Sequence, residues 1–306
     1  MDRWRELYPF VSRWIDRPAR TGGVLRYHFV DEGQGDPPRS EAIVFVHGNP
    51  TWSFYWRELV KALRGTHRCV AVDHMGCGLS DKPDDSQYDY TLDSRVADLN
   101  ALIEHLKLDK VTLVLHDWGG MIGLAWATLH PERVQKLVLL NTSGFRLPAS
   151  KPLPATLKLV RTAPFGALIV RGMNAFAGLA TKMAAMKPLD PRVKEGLVAP
   201  YDSWRNRIAT LRFVQDIPLR AGDKAWDTVV RTEENLGKLK HAPTFIGWGE
   251  KDFVFDDHFL REWKKRIPDA TYAIYPAAGH YVIEDAKDEL IPKIVSFIGS
   301  AEPAKV

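Results

Sequence analysis

The segment VTLVLHDWGGMIGLAWA places an acidic residue where a buried strand meets a helix. The apolar run Val111 to His116 predicts the strand, Asp117 follows it, and a helix is predicted from Trp118 to about Leu129. So sharp a turn pushes one side chain up at the end of the sheet. Gly119 and Gly120 allow the close packing that the turn needs. The pattern therefore predicts that the Asp117 carboxylate projects into a site.

A projecting carboxylate suits nucleophilic substitution at an alkyl carbon. Serine attack on a saturated carbon would give an ether, whereas carboxylate attack gives an ester that water can hydrolyse. Asp117 is ionised at neutral pH and needs no base for this step. The competing interpretation is that Asp117 only caps the following helix, a common role for aspartate.

Three further segments place polar residues at the carboxyl ends of predicted strands. His47-Gly48-Asn49-Pro50 ends an early strand, Gly249-Glu250-Lys251-Asp252 follows a late one, and Gly279-His280 follows the last. Open α/β sheets bind ligands at these strand ends. The chain order nucleophile, acid, histidine is that of α/β-hydrolases. These segments favour a catalytic Asp117 over a helix cap.

Short apolar runs alternate with helical patterns, which predicts an α/β fold with a mostly parallel central sheet flanked by helices. Together with the chain order of the site residues, this predicts the α/β-hydrolase fold. The predicted strands begin at Val24 and then cover 42–47, 68–73, 111–116, 136–141, 243–249 and 271–276. Helices are also predicted from about Thr91 and from about Asp285 to Ile298.

Strand signals vanish between about Gly144 and Gly222, where eight prolines interrupt helical segments. We therefore expect a core domain of residues 1–143 and 223–306 and an inserted helical cap of residues 144–222. An apolar lid would suit alkyl substrates and exclude water. The apolar candidates are Phe145, Leu153, Leu157, Phe165, Leu168, Ile169, Met173, Phe176, Leu179 and Met183.

Composition narrows the possible partners and the compartment. The 306 residues include 42 Lys and Arg and 38 Asp and Glu, without the clustered basic run of nucleic-acid binding, so no nucleic-acid partner is expected. Cys69 and Cys77 indicate a reducing compartment, and MDRWRELYPF lacks the apolar centre of a signal peptide, so a cytoplasmic location is expected.

The apolar stretch from Phe165 to Met186 is a poor membrane span because Arg171 and Lys182 interrupt it. The chain has no zinc-ligand spacing and no phosphate loop, so neither a metal nor an organic cofactor is expected.

The chain resembles the haloalkane dehalogenase family across nearly the whole core. The resemblance rests on HGNPTWSFYWR (His47 to Arg57), DHMGCGLSDKP (Asp73 to Pro83), HDWGG (His116 to Gly120), WGEKD (Trp248 to Asp252) and AAGHYVIED (Ala277 to Asp285). It implies that Asp117 is the nucleophile, that His280 is the base that activates water, and that Asp252 is the acid that orients His280. Some members carry the acid after the strand that here ends at Asn141, which cannot take this role.

The resemblance also implies that Trp118 and Asn49 hold the leaving halide. The indole N–H and the side-chain amide are neutral donors, so they can bind a halide and still release it. The backbone N–H groups of the same two residues suit an oxyanion hole. His47, His116 and His130 are expected to be structural.

The leading hypothesis is hydrolysis of alkyl halides, and the closest alternative is decarboxylation of an alkyl β-lactone. The cap reads Tyr201-Asp202-Ser203-Trp204 and then FVQDIP at Phe213 to Pro218, where many dehalogenases have Tyr-x-x-Pro-Phe. This region is similar to the olefin-pathway β-lactone decarboxylases. Epoxide hydrolysis normally needs two cap tyrosines, and Tyr201 is the only tyrosine in the insertion. A non-catalytic binding protein is the remaining alternative.

Overall fold

An eight-stranded, mostly parallel sheet crosses the protein in the order β1-β2-β4-β3-β5-β6-β7-β8, which confirms the predicted fold. The computed structural model describes residues 3–33, 40–152, 161, 165–172 and 175–300, and only the backbone of residues 165, 169, 175 and 176. The strands are β1 (Ser12–Pro18), β2 (Val24–Glu32), β3 (Glu41–Val46), β4 (Cys69–Val72), β5 (Lys110–Asp117), β6 (Val134–Thr142), β7 (Thr244–Gly249) and β8 (Thr271–Tyr275).

Helices cover both faces of the sheet. The α-helices are α1 (Arg57–Leu63), α2 (Leu92–His105), α3 (Trp118–Leu129), α4 (Phe165–Ala167), α5 (Ala175–Met183), α6 (Pro191–Val198), α7 (Ile208–Gln215), α8 (Trp226–Asn235), α9 (Asp257–Arg266) and α10 (Val282–Gly299). A π-helix spans Leu168–Gly172, and short 3-10 helices span Arg3–Leu7, Ser53–Trp56, Pro131–Arg133, Ala199–Tyr201, Arg205–Arg207 and Leu236–Leu239.

The central strands are buried because helices cover them on both sides. Every residue of β4 and β7 is buried, and so are all but the first residues of β3 and β5. Continuous apolar runs of this kind are typical of parallel strands covered on two faces. From β3 to β8 every neighbouring pair is parallel, so the carboxyl ends of these strands meet at one edge.

One strand, β1, is absent from the strands that the sequence predicts. It pairs antiparallel with β2, and only one of its seven residues, Ile15, is fully buried. An exposed edge strand needs no apolar run, so its sequence gives little signal.

Among the described residues between β6 and β7 there are helices and no strand. The division into a core and a cap at residues 144–222 stays a prediction, although the helices lie where an insertion was expected. No helix in the described ranges is long and apolar enough to cross a membrane.

Candidate active site

The turn between β5 and α3 holds its first residue in a strained conformation. Asp117 has φ 53° and ψ −127°, in the positive-φ region that residues other than glycine rarely adopt. The surroundings are too tight for a larger neighbour, because a Cβ at Gly119 would lie 2.0 Å from the Val46 carbonyl oxygen and one at Gly120 would lie 1.8 Å from Thr142 Oγ1. Thr142 Oγ1 also donates to the Asp117 carbonyl. The fold thus compels the side chain to project from the turn.

The Asp117 carboxylate does not cap its own helix. It makes no capping hydrogen bond at the start of α3, and its Oδ1 instead accepts from the Asn49 backbone N–H at 2.6 Å. Only glycine fits beside it, since a Cβ at Gly48 would lie 2.0 Å from Asp117 Oδ1. These contacts rule out the helix-cap interpretation.

Burial sets the electrostatics of Asp117. Loss of solvation raises the pKa of its carboxyl above the ordinary value, while His280 and the backbone N–H groups of Asn49 and Trp118 act in the opposite direction. The Asn49 N–H, which donates to Asp117 Oδ1 at 2.6 Å, therefore already lies where an oxyanion developing on that oxygen would need a donor.

His280 lies between the two aspartates that the sequence singled out. Its Nε2 is 3.6 Å from Asp117 Oδ2, and its Nδ1 is 2.8 Å from Asp252 Oδ2. Burial lowers the pKa of His280, but Asp252 and Asp117 more than offset it, and the net pKa lies above the ordinary value. The structure thus brings Asp117, His280 and Asp252 together in one buried chain of contacts.

Two other histidines, His116 and His47, bond backbone groups next to these three residues. His116 Nε2 contacts the carbonyl oxygen of His280 at 2.8 Å, and burial lowers the pKa of His116 far below its usual range. His47 Nε2 accepts from the His74 backbone N–H at 3.0 Å, so its Nδ1 carries the proton and donates to the Gly48 carbonyl at 2.7 Å. Burial lowers the pKa of His47 to about 4. Both rings are neutral and hold backbone in place.

Asn141 also acts on backbone. Its side chain donates to the Gly249 carbonyl at 3.0 Å and accepts from the Gly249 N–H at 2.8 Å. These two hydrogen bonds fix the end of β7 at Gly249. The loop that carries Asp252, three residues later, leaves the sheet from there.

Trp118 and Asn49, the two predicted donors, differ in the hydrogen bonds that their side chains already make. Trp118 Nε1 has no hydrogen-bond partner among the described residues, and the ring packs against Phe213 with centroids 5.4 Å apart. Asn49 Nδ2 donates to the Thr210 carbonyl of α7 at 3.1 Å, and its Oδ1 has no partner in the described part of the chain. Asn49 therefore retains one N–H for a ligand, and it ties residues 47–50 to α7.

The cap candidates divide into several groups. Phe145 is buried, whereas Leu168, Leu179 and Met183 are exposed. Leu153, Leu157 and Met173 lie outside the described residues, as do the side chains of Phe165, Ile169 and Phe176.

Sequence reasoning missed Asp285, a buried carboxylate that ties the histidine loop to the chain after α5. Its oxygens accept from the backbone N–H groups of Gly279 at 2.7 Å, Met186 at 2.9 Å and Lys187 at 2.9 Å. The next N–H beyond His280, that of Tyr281, donates to the Ala184 carbonyl at 2.7 Å. Both neighbours of His280 are thus anchored to the segment that follows α5.

We expect Asp285→Asn to disturb the placement of His280. An amide has one acceptor oxygen where the carboxylate has two, and its NH2 would face N–H donors, so stability should fall by about 1–3 kcal/mol. Turnover should fall by about tenfold or more, and the pH dependence of activity should shift, which a purely structural loss would not cause. Asp288→Asn, an exposed position on the same helix, is the matched control. An unchanged pH profile would argue against a positioning role for Asp285.

Comparison with known proteins agrees with this geometry. The alpha/beta hydrolase fold family matches residues 41–287. Over 97% of this chain and 91% of its own length, the cis-3-alkyl-4-alkyloxetan-2-one decarboxylase of Shewanella oneidensis is 48% identical. Haloalkane dehalogenase 2 of Mycobacterium tuberculosis is 32% identical over 96% of this chain and 97% of its own. The solved haloalkane dehalogenase DatA of Agrobacterium tumefaciens superposes with a TM-score of 0.78 at 28% identity, covering 94% of this chain and 96% of that one.

The chain belongs to the α/β-hydrolase fold family, and it is an enzyme of that family. The resemblance drawn from the sequence is confirmed, including both named groups, with the decarboxylase the more similar of the two relatives.

Proposed function

We propose that the protein decarboxylates cis-3-alkyl-4-alkyloxetan-2-ones, four-membered β-lactones with two alkyl chains, to an alkene and carbon dioxide. The observation that carries this proposal is the buried Asp117 carboxylate, which projects from its turn 3.6 Å from His280. A lactone substrate is favoured over a halide because the similarity to the decarboxylase is 48%, against 32% for the dehalogenase. This order reverses the one that the sequence alone suggested.

In the first step Asp117 attacks the ring carbon that bears the ring oxygen. The carbon–oxygen bond of the ring breaks, the ring opens to a free carboxylate, and the substrate is left as an ester on Asp117. In the second step the bond between the carboxylate carbon and its neighbour breaks. Its electrons form the alkene, carbon dioxide departs, and the Asp117 carboxylate leaves. No water is consumed.

This route predicts the geometry of the product. Backside attack inverts the attacked carbon, and anti elimination then compensates for that inversion. A lactone with cis alkyl groups should therefore give a cis alkene.

Trp118 and Asn49 would stabilise the carboxylate that ring opening releases. The Trp118 Nε1–H has no partner among the described residues, and one Asn49 N–H remains for a ligand. Neutral donors suit a carboxylate that must then lose carbon dioxide, because a full positive charge would hold it too firmly. Protonated His280, supported by Asp252, would add positive charge beside Asp117.

Dehalogenation remains the second candidate, supported by the same unpaired indole N–H and by the relative that is 32% identical. An alkyl halide would form the same kind of ester on Asp117. Its second step differs, since release of an alcohol requires water activated by His280.

The two candidates separate in a paired assay of the purified protein with a cis-dialkyl β-lactone and with a bromoalkane of similar length. We expect rapid formation of a cis alkene from the lactone and slow release of bromide. Alkene geometry and yield are read by gas chromatography, and bromide by an ion-selective electrode. Fast bromide release with little alkene would reverse the assignment.

A further inference from the structure

The segment from α5 to residue 187 exposes three large apolar side chains among those that the structure describes. Leu179 is 49% exposed, Met183 52% and Met186 44%, and Lys182 and Lys187 are exposed beside them. The α5 face is defined here as these five residues: Leu179, Lys182 and Met183 lie on one face of α5, and Met186 and Lys187 follow the end of the helix. The buried residues that the structure describes in this segment are small, namely Ala177, Thr181, Ala184 and Ala185.

A second exposed apolar group lies at the π-helix. Leu168 is 61% exposed and Trp204 46%, and both reach Gly172, since a Cβ there would lie 3.3 Å from one and 3.5 Å from the other. The Arg171 guanidinium lies 4.6 Å from the centroid of the Trp204 ring. Exposed apolar residues grouped in this way mark an interaction surface more often than chance exposure does.

The charge of the chain is concentrated on the same segment. Residues 144–222 contain 13 Lys and Arg but 4 Asp and Glu, a formal charge of +9, whereas the remainder of the chain carries −5. Basic residues are thus unevenly distributed, even though they form no continuous run.

Ion pairs neutralise only some of these cations. Arg212 pairs with Asp85, and Arg161 pairs with Asp223 at 3.3 Å. By contrast, Arg171, Lys182 and Arg205 form no ion pair within the described ranges of the chain. The positive charges left over therefore lie next to the exposed apolar side chains.

We propose that the α5 face, together with Leu168, Arg171 and Trp204, docks on an anionic lipid bilayer. Lys and Arg next to exposed Leu, Met and Trp form the pattern of a surface that lies in the membrane interface, with apolar side chains in the acyl boundary and cations among anionic headgroups. A nucleic acid would match the charge but would leave the Leu and Met side chains without an apolar partner. Docking would bring the enzyme to its substrate, because a molecule with two alkyl chains partitions into bilayers. This part of the argument rests on the proposed function.

The test is sedimentation of the full-length protein with phosphatidylcholine vesicles, with and without phosphatidylglycerol. We expect binding to the anionic vesicles, weak binding to the neutral ones, and loss of binding as salt rises. Each Lys near an anionic surface contributes about fivefold in affinity, so Lys182→Gln should weaken binding by about that factor. The double variant Leu179→Ser, Met183→Ser should weaken it by about tenfold or more.

Matched controls lie outside residues 144–222, where Leu129→Ser removes a side chain that is 51% exposed and Lys240→Gln removes an exposed charge. Both should bind like the unchanged protein, and all variants should keep activity on detergent-dispersed lactone. Vesicle binding is measured without substrate, so it can fail while lactone turnover succeeds, and the reverse. Failure to bind anionic vesicles at low salt, equal loss in the control variants, or retention on duplex DNA instead of vesicles would overturn the proposal.

Discussion

Asp117→Asn is expected to abolish alkene formation and bromide release together. Both reactions begin with a bond from this carboxylate to carbon, and an amide is a far weaker nucleophile. Removing a covalent nucleophile costs on the order of 10⁴- to 10⁶-fold in turnover. The measurement is alkene yield and bromide release per enzyme, with Asp269→Asn, at an exposed aspartate after α9, as the control.

Loss of activity in this variant would not reflect unfolding. Asparagine tolerates the positive φ of 53° at position 117 and can still accept the hydrogen bond from the Asn49 N–H. Burial raises the pKa of the Asp117 carboxyl, so the charged form costs folding free energy above that pKa, and the neutral amide avoids the cost. The melting temperature should therefore stay equal or rise. A variant that kept turnover within tenfold of the unchanged protein would exclude Asp117 as the nucleophile.

The parts of the site that the sequence predicts are those tied to strand ends. Asp117, Asp252 and His280 each follow a predicted strand, and each has a glycine within three residues, so the rule for parallel sheets is enough to place them at one edge. Their distances of 2.8 Å and 3.6 Å depend on the loops, which the sequence does not specify.

The contacts of Asp285 and Thr210 could not be predicted from strand ends. Asp285 bonds backbone N–H groups 98 and 99 residues away, and Thr210 contributes only a carbonyl oxygen to Asn49, 161 residues away. Backbone partners leave no mark in residue type. A common aspartate at the start of a helix reads as a cap from sequence alone.

The sequence did not predict which side of α5 is buried, for a different reason. Its sequence, AFAGLATKM, has a single charged residue, Lys182, near its end, so the periodicity only weakly indicates which side meets the core. Side-chain size decides it, because the alanines allow close approach to the histidine loop while Leu179 and Met183 remain outside.

His280→Phe is expected to trap a covalent intermediate with one substrate and not with the other. With a bromoalkane, Asp117 still forms its ester, but hydrolysis needs water activated by the imidazole, and losing a general base costs about 10²- to 10⁴-fold. With the lactone, the ester decomposes by elimination, which needs no water. Intact-protein mass spectrometry should therefore find an alkyl adduct on Asp117 after bromoalkane treatment and none after lactone treatment.

The pH dependence of ester hydrolysis supplies an independent check of the same role. Only neutral imidazole accepts a proton from water, and Asp252 and Asp117 hold the pKa of His280 above its ordinary value despite burial. Hydrolysis in the unchanged protein should therefore slow as pH falls through that raised pKa, while elimination from the lactone should not follow the same curve. His105→Phe, an exposed position at the end of α2, should leave both reactions unchanged. An adduct that forms equally with lactone and bromoalkane would show that both esters break down by hydrolysis, and the elimination route would then be wrong.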